Sequence, residues 1–185
     1  MTTTQTEDLV TLLAEDGTPI GSAPRMTVHT DDTPLHLAFS CYVSDASGRL
    51  LLTRRALSKK TWPGVWTNSF CGHPRPGEDL LDAITRYARH ELGLEVEDVR
   101  CVLPDFRYRA VDASGVVENE ICPVFVATTT QQPDPNPEEV AEYAWAAPED
   151  AVRAVAAVPF ALSPWMVEQV EGMNADRVLA QGSPG

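Results

Sequence analysis

Apolar and polar positions alternate in short stretches along this chain, and one long stretch repeats at helical spacing instead. Leu9 to Ala14 reads as a strand entering an Asp16-Gly17 turn, with Ile20 on the return arm. Leu35 to Val43 is a strongly apolar run. The turn cluster Asp45-Ala46-Ser47-Gly48 follows, and Leu50 to Thr53 completes a hairpin. Trp62-Pro63-Gly64 punctuates a loop, after which Val65 to Cys71, short, β-branched and aromatic, opens a strand-loop-helix unit. The helix spans about Glu78 to Leu92. Leu81, Ile84, Ala88 and Leu92 form its apolar stripe, Arg86, Arg89 and His90 its polar flank, and Gly93 its stop signal.

Further on, Val99–Leu103, Phe106–Val111 and Val116–Thr128 read as strands, with Asp112-Ala113-Ser114-Gly115 as a hairpin turn. Pro133, Pro135 and Pro137 make the stretch from Gln131 to Glu138 a stiff linker. Val140 to Trp145 is another strand, Pro148 opens a helix from its first turn and reaches about Val158, and Ser163 to Val170 is helical. Strands around one long helix, with more helix at the end, give an α/β class: a mixed sheet sandwich flanked by helices. At 185 residues and 43% hydrophobic content the chain suits one domain, residues 1–185, with residues 1–8 and 182–185 as flexible ends.

Charge narrows the function. A net charge of −13 opposes a nucleic-acid surface, which needs a broad basic field. From Ala46 to Gly77, however, there is no Asp or Glu, while Arg49, Arg54, Arg55, Lys59, Lys60 and Arg75 all fall there. That window fits a small, highly charged anion such as a diphosphate, and equally a solvated basic strand end. No stretch reaches the roughly 20 apolar residues of a membrane span, and the polar, acidic N-terminus lacks the order of a signal peptide. The expectation is a cytoplasmic protein. Cys41, Cys71, Cys101 and Cys122 contain no C-x-x-C pair, which fits reduced thiols. No long unpaired apolar stripe calls for a partner copy, so a monomer is expected.

Three of the four histidines, His29, His36 and His73, lie in polar, turn-flanked stretches, and Glu118 and Glu120 are two apart in a strand, hence on one face. Two like charges so placed repel unless a cation sits between them. Imidazoles with carboxylates suit Zn²⁺, Mn²⁺ or Mg²⁺. Each histidine taken singly is as well read as a surface or hydrogen-bonded residue. Cys71 and His73 share the spacing of two, so an extended segment turns thiol and imidazole toward one cavity. Glu91, two helical turns after Ile84, falls at the edge of the buried stripe, where an unpaired carboxylate is costly. A partner cation explains it, and so would an arginine on its own helix.

Gly72-x5-Glu78-x7-Arg86-Tyr87-Ala88-Arg89-His90-Glu91-Leu92-Gly93-Leu94 resembles the Nudix box, a loop-helix-loop that holds metal ions against a diphosphate. Hydrolysing Nudix enzymes carry Arg-Glu-aliphatic-x-Glu-Glu there. Tyr87 and His90 take two of the three acidic positions, leaving Glu91. Diphosphate binding survives such thinning; hydrolysis does not. Together with Thr53-Arg-Arg-Ala-Leu-Ser-Lys-Lys60, Trp62-Pro-Gly-Val-Trp-Thr-Asn-Ser-Phe-Cys-Gly-His-Pro74, Phe106-Arg-Tyr-Arg-Ala110, Glu118-Asn-Glu120 and Ser163-Pro-Trp165, the box resembles type I isopentenyl diphosphate isomerases over about Leu9 to Val170.

The resemblance implies a Nudix-like sandwich that interconverts isopentenyl and dimethylallyl diphosphates by alkene protonation and allylic deprotonation. It implies Cys71 and Glu120 as the acid/base pair, Tyr108 as a helper near Glu120, and Trp165 facing the reacting carbons; which of the pair donates is open, and the reading chosen on chemical grounds is Glu120 as donor and Cys71 as acceptor. A tightly held divalent ion, Mn²⁺, Zn²⁺ or Mg²⁺, falls to His29, His36, His73, Glu118 and Glu120. A Mg²⁺ shared with the substrate diphosphate falls to Glu91 and Cys71, and diphosphate contacts to Arg25, Arg55 and Lys59. Chemistry agrees: a tertiary cation needs a dry site, and a desolvated indole face attracts it by about 2 kcal/mol. Nearby positive charge is expected to depress the Cys71 thiol below its usual pKa of roughly 8.5. The alternatives are a Nudix-type diphosphohydrolase and an inactive diphosphate-binding regulator. A zinc deaminase lacks its His-x-Glu and Pro-Cys-x-x-Cys pattern here.

Overall fold

A computed structural model describes residues 8–175. Of the flexible ends expected at residues 1–8 and 182–185, all but Asp8 lie outside the described residues. In chain order come β1 (Leu9–Leu13), β2 (Pro19–Pro24), β3 (His36–Leu37), β4 (Phe39–Ser44), β5 (Leu50–Arg55), β6 (Trp66–Thr67) and β7 (Phe70–Gly72). Helix α1 (Leu80–Leu92) follows, then β8 (Glu97–Leu103), β9 (Arg107–Val111), β10 (Val117–Ile121), β11 (Val124–Thr128) and β12 (Val140–Ala146). Helices α2 (Pro148–Ala157) and α3 (Pro164–Ala175) end the described chain, joined through a short 3-10 turn at Pro159–Ala161.

The strands form two sheets, one ordered β2-β1-β3-β10-β9 and the other β12-β5-β4-β11-β8, with β6 beside β5 and β7 beside β4. Strand β4 shows why its sequence is apolar throughout. Phe39, Cys41 and Val43 pack toward α1 with Ile84, Ala88 and Leu92, whereas Tyr42 packs on the opposite face with Val155, Met166 and Val170 of α2 and α3. A strand covered on both faces has no polar side to show.

Two apolar runs that read as continuous are each broken. The first divides at Ala38, with β3 in one sheet and β4 in the other, and the second divides at Cys122-Pro123 between β10 and β11. Proline cannot donate to a ladder. The breaks are side by side, because β3 runs parallel to β10 and β4 parallel to β11. Ala38 and Glu120, where the sheets part, line a cavity of about 300 Å³.

Asp79 caps α1 by accepting from the Leu81 N–H at 2.8 Å, and Gly93 ends it in the left-handed region at φ 63°. The stripe differs from expectation at one place. Leu80 takes the packed position in the first turn and Leu81 is half exposed. Tyr87 packs edge-to-face on Phe39 and presses its ring onto Gly72, where an added Cβ would come within 2.7 Å of the ring. Gly72→Ala is therefore expected to lower unfolding stability by roughly 1–3 kcal/mol, read from urea titrations.

Candidate active site

Strand pairing builds the centre of the site. β10 lies between β3 and β9, in a register that puts Glu120 opposite His36 on one side and Tyr108 on the other. Val117 N–H donates to Thr30 O at 2.7 Å, which fastens the loop carrying His29 beside Glu118. His73 enters just after β7, whose Cys71 is paired with Ser40 of β4. One ligand atom from each of His29, His36, His73 and Glu120 falls within 4.8 Å of the others.

The polar atoms of this group crowd onto one another, and one of them, His29 Nε2, is left without a partner. His36 Nδ1 donates to Pro34 O at 2.9 Å, so its Nε2 carries the lone pair. That lone pair lies 3.3 Å from His73 Nε2 and 3.3 Å from Glu120 Oε1, while His73 Nε2 lies 3.0 Å from the same oxygen. His29 Nε2 is buried and 2.9 Å from Glu118 Oε2, yet has no hydrogen-bond partner. Converging imidazole and carboxylate lone pairs with an orphaned nitrogen fit a divalent ion. Glu118 reaches the group through His29, its other oxygen accepting from Thr61 Oγ1 at 2.6 Å. Burial would raise the Glu120 carboxyl, but hydrogen bonding from His36 and His73 outweighs it and holds it well below the usual range; for His36 this is the protonated ring, which, against burial, the same carboxylate favours by raising its pKa. Burial keeps His73 low, in its neutral, ligand-competent form.

Tyr108 Oη donates to Glu120 Oε2 at 3.0 Å, and Trp165 leans over Tyr108 with ring centroids 5.7 Å apart. The Cys71 thiol lies 3.2 Å from Ser40 Oγ and 3.3 Å from Asn68 Oδ1, and the Trp165 indole donates to that same Oδ1 at 3.0 Å. Cys71, Glu120, Tyr108 and Trp165 all line the one cavity. The thiol differs from expectation. Burial pushes it up to about 12, and Arg55 offsets little of that, because the guanidinium is turned to Thr61 O and lies over the Trp165 ring at 5.2 Å.

The cationic window is divided by the fold. Arg55, Lys59 and Lys60 line the cavity, joined by Arg25 from the segment after β2. Arg49 is paired with Asp45 and Arg54 with Glu142, and Arg75 is not among the lining residues. Among residues the sequence reading passed over, Glu139 holds Lys59, and Ser40 and Asn68 flank the thiol. A serine inside the apolar run Leu35–Val43 was the available signal for Ser40.

Glu91 is buried at 8% exposure and lines the cavity, with no ion pair to an arginine of its own helix among the described residues. Burial pushes its carboxyl up to about 7, with Lys59, Arg55 and Arg25 pulling the other way. The folded protein thus keeps a proton that the unfolded chain releases from 4.5 upward, and stability falls as pH rises from there to about 7. In metal-free buffer Glu91→Gln should be more stable than the parent by up to roughly 3 kcal/mol at about pH 8, and no different below the unfolded value. Denaturant titrations at the two pH values check this.

A NUDIX domain model matches residues 34–166. The chain is 63% identical over 178 residues to the isopentenyl-diphosphate Delta-isomerase of Clavibacter michiganensis subsp. michiganensis, covering 96% of this chain and 92% of that one. It is 59% identical to that of Kocuria rhizophila, covering 92% and 94% of the two chains, and 57% identical to that of Mycolicibacterium vanbaalenii, covering 95% and 96%. The fold is similar to that of DR0079 from Deinococcus radiodurans, with TM-score 0.68, 21% identity and coverage of 88% and 97%. It is also similar to the MutT protein of Methanosarcina mazei Go1, with TM-score 0.61, 18% identity and coverage of 78% and 96%. Two of the acidic positions of a hydrolytic box are filled here by Tyr87, packed on Gly72, and by the exposed His90. The chain belongs to the NUDIX domain family and, within it, to the isopentenyl-diphosphate Delta-isomerases.

Proposed function

We propose that this chain interconverts isopentenyl diphosphate and dimethylallyl diphosphate, protonating the alkene at one end of the allylic system and removing a proton at the other. The observation that carries the reading is that Cys71 and Glu120 line a single cavity together with the Trp165 indole and the Tyr108 phenol. Arg25, Arg55, Lys59 and Lys60 give that cavity a cationic mouth suited to a diphosphate.

In this reading Glu120 first takes up a proton from solvent, against the lowering by its histidine neighbours, and then gives that proton to the terminal methylene, with the Tyr108 hydroxyl hydrogen-bonded at Oε2. Cys71 takes the proton from the carbon next to the one bearing the diphosphate oxygen. Trp165 presents electron density that attracts the tertiary cation and cannot add to it. His29, His36, His73, Glu118 and Glu120 would hold one divalent ion, Mn²⁺, Zn²⁺ or Mg²⁺, and Glu91 with Cys71 would hold a Mg²⁺ shared with the diphosphate. When bound, these ions supply positive charge that orders the imidazoles and carboxylates, neutralises the diphosphate and favours the Cys71 thiolate. The protein is read as one domain over residues 1–185, acting as a monomer in the cytoplasm. No described helix is long and apolar enough to cross a membrane.

The competing reading is diphosphate hydrolysis, which the loss of two box carboxylates at Tyr87 and His90 disfavours. Incubation with isopentenyl diphosphate and Mg²⁺ separates them. Dimethylallyl diphosphate without phosphate release is expected, and phosphate release without isomer would overturn the assignment.

A further inference from the structure

Val65 to Cys71 reads as one strand, yet β6 stops at Thr67 and β7 begins at Phe70. Side chains make the break. Ser69 Oγ donates to Leu51 O at 2.6 Å and accepts from the Val43 N–H at 2.7 Å, and Asn68 Nδ2 donates to Cys41 O at 3.1 Å and Phe70 O at 2.7 Å. Both residues are fully buried. Side-chain bonds have replaced two positions of the ladder.

The two carbonyl partners settle which way the Asn68 amide faces, because only its nitrogen can donate to them. The oxygen is therefore turned toward two cavity-lining side chains, the Trp165 indole N–H at 3.0 Å and the Cys71 sulfur at 3.3 Å. Thr67 Oγ1 is also within 2.8 Å, but it lies 2.7 Å from Ser163 Oγ, and one hydroxyl hydrogen serves one of them at a time. With that hydrogen on Ser163, the two lone pairs of Asn68 Oδ1 match two donors, the indole and the thiol.

A second chain fixes the thiol from the other side. Tyr42 Oη donates to Gln169 Oε1 at 2.9 Å, and Gln169 Nε2 donates to Ser40 Oγ at 2.8 Å, which leaves the Ser40 hydrogen free for a neighbouring sulfur. Cys71 thus sits between an acceptor, Asn68, and a hydroxyl, Ser40, each locked from behind by fully buried partners.

We propose that Asn68 is a positioning residue that couples the Cys71 thiol to the Trp165 indole through one shared oxygen. While the sulfur carries its proton, neither group can turn away from the reacting carbons without leaving an unpaired buried donor, so the sulfur is already in place when it gives that proton up to act as the base. The inference rests on the roles given above to Cys71 and Trp165. Asn68 itself touches no substrate and lies outside the cationic mouth, so its removal acts on the chemical step and not on diphosphate binding.

Asn68→Ala is expected to lower kcat about tenfold for each of the two hydrogen bonds lost, with KM changed by less than about twofold. In a Trp165→Phe background the same substitution should cost less, since one partner is already gone. A second measurement leaves Asn68 in place. In Cys71→Ala the oxygen keeps the indole as its sole cavity-side donor, so the ¹⁵N–¹H resonance of the Trp165 indole, assigned through Trp165→Phe, should move downfield. Parental kcat in Asn68→Ala, a full-sized loss in the Trp165→Phe background, or an unmoved Trp165 resonance in Cys71→Ala would each overturn the coupling. Full isomerisation by Cys71→Ala would instead remove the catalytic reading of the thiol, whatever Asn68 does.

Discussion

Cys71→Ala and Glu120→Gln are each expected to cut isomerisation by about 10²–10⁴-fold, the range over which a positioned acid or base acts. Cys41→Ala and Cys101→Ala should leave it nearly unchanged. The contrast follows from where these three thiols lie. Cys71 and Glu120 line the cavity, Cys41 points into the core beneath α1, and Cys101 is exposed on β8. Loss of Cys41 removes buried volume and should cost about 1 kcal/mol of stability without touching the reaction. Glu120→Gln also removes a carboxylate from the histidine group, so its metal content has to be measured beside its rate. Parental activity in Cys71→Ala would show that the thiol takes no part.

Stripping divalent ions with a chelator is expected to abolish activity and to lower unfolding stability as well, by about 4 kcal/mol if the ion is normally present at a thousand times its dissociation constant. The physical reason is the crowding of lone pairs. Three imidazoles and two carboxylates meet with His29 Nε2 buried and unpartnered, and with His36 and His73 nitrogens directed at each other. A cation satisfies all of them at once; without it, some of these groups stay buried and unpaired. Calorimetry before and after chelation, and again after adding Mn²⁺, Zn²⁺ or Mg²⁺ separately, reads both the effect and its recovery. An unchanged melting temperature on complete ion removal would show that the histidine group is a purely hydrogen-bonded cluster.

Much of this was legible in the sequence for identifiable reasons. Helix α1 declared itself through its 3.6-residue stripe and its Gly93 stop, and the Glu118/Glu120 pair through the period of a strand. Other features depend on strand order, which no local pattern encodes. That β10 runs between β3 and β9 is what sets Glu120 between His36 and Tyr108, and it follows from pairings more than eighty residues apart for β3 with β10. The breaks at Ala38 and Cys122-Pro123 were hidden because apolar residues continue across them. Charge was legible as a window but not as a mouth. Arg49 and Arg54 fall within the same run as Arg55 and Lys59, yet pair with Asp45 and Glu142 away from the cavity. Burial, invisible from the sequence, pushes the Cys71 thiol up and opposes the lowering expected from nearby positive charge. Asn68 was likewise unreadable, since within a run that reads as one strand nothing marks the carbonyls of Cys41 and Phe70 that hold it.

The central claim, a carbon cation formed by one group and quenched by another in a dry chamber, is tested most directly by running the reaction in deuterated water and locating the label by NMR. Separate donor and acceptor groups require that newly formed dimethylallyl diphosphate carry solvent deuterium in the methyl made from the terminal methylene. Product formed at the normal rate with no solvent deuterium in that methyl would mean that hydrogen moves within the substrate, and would contradict the account.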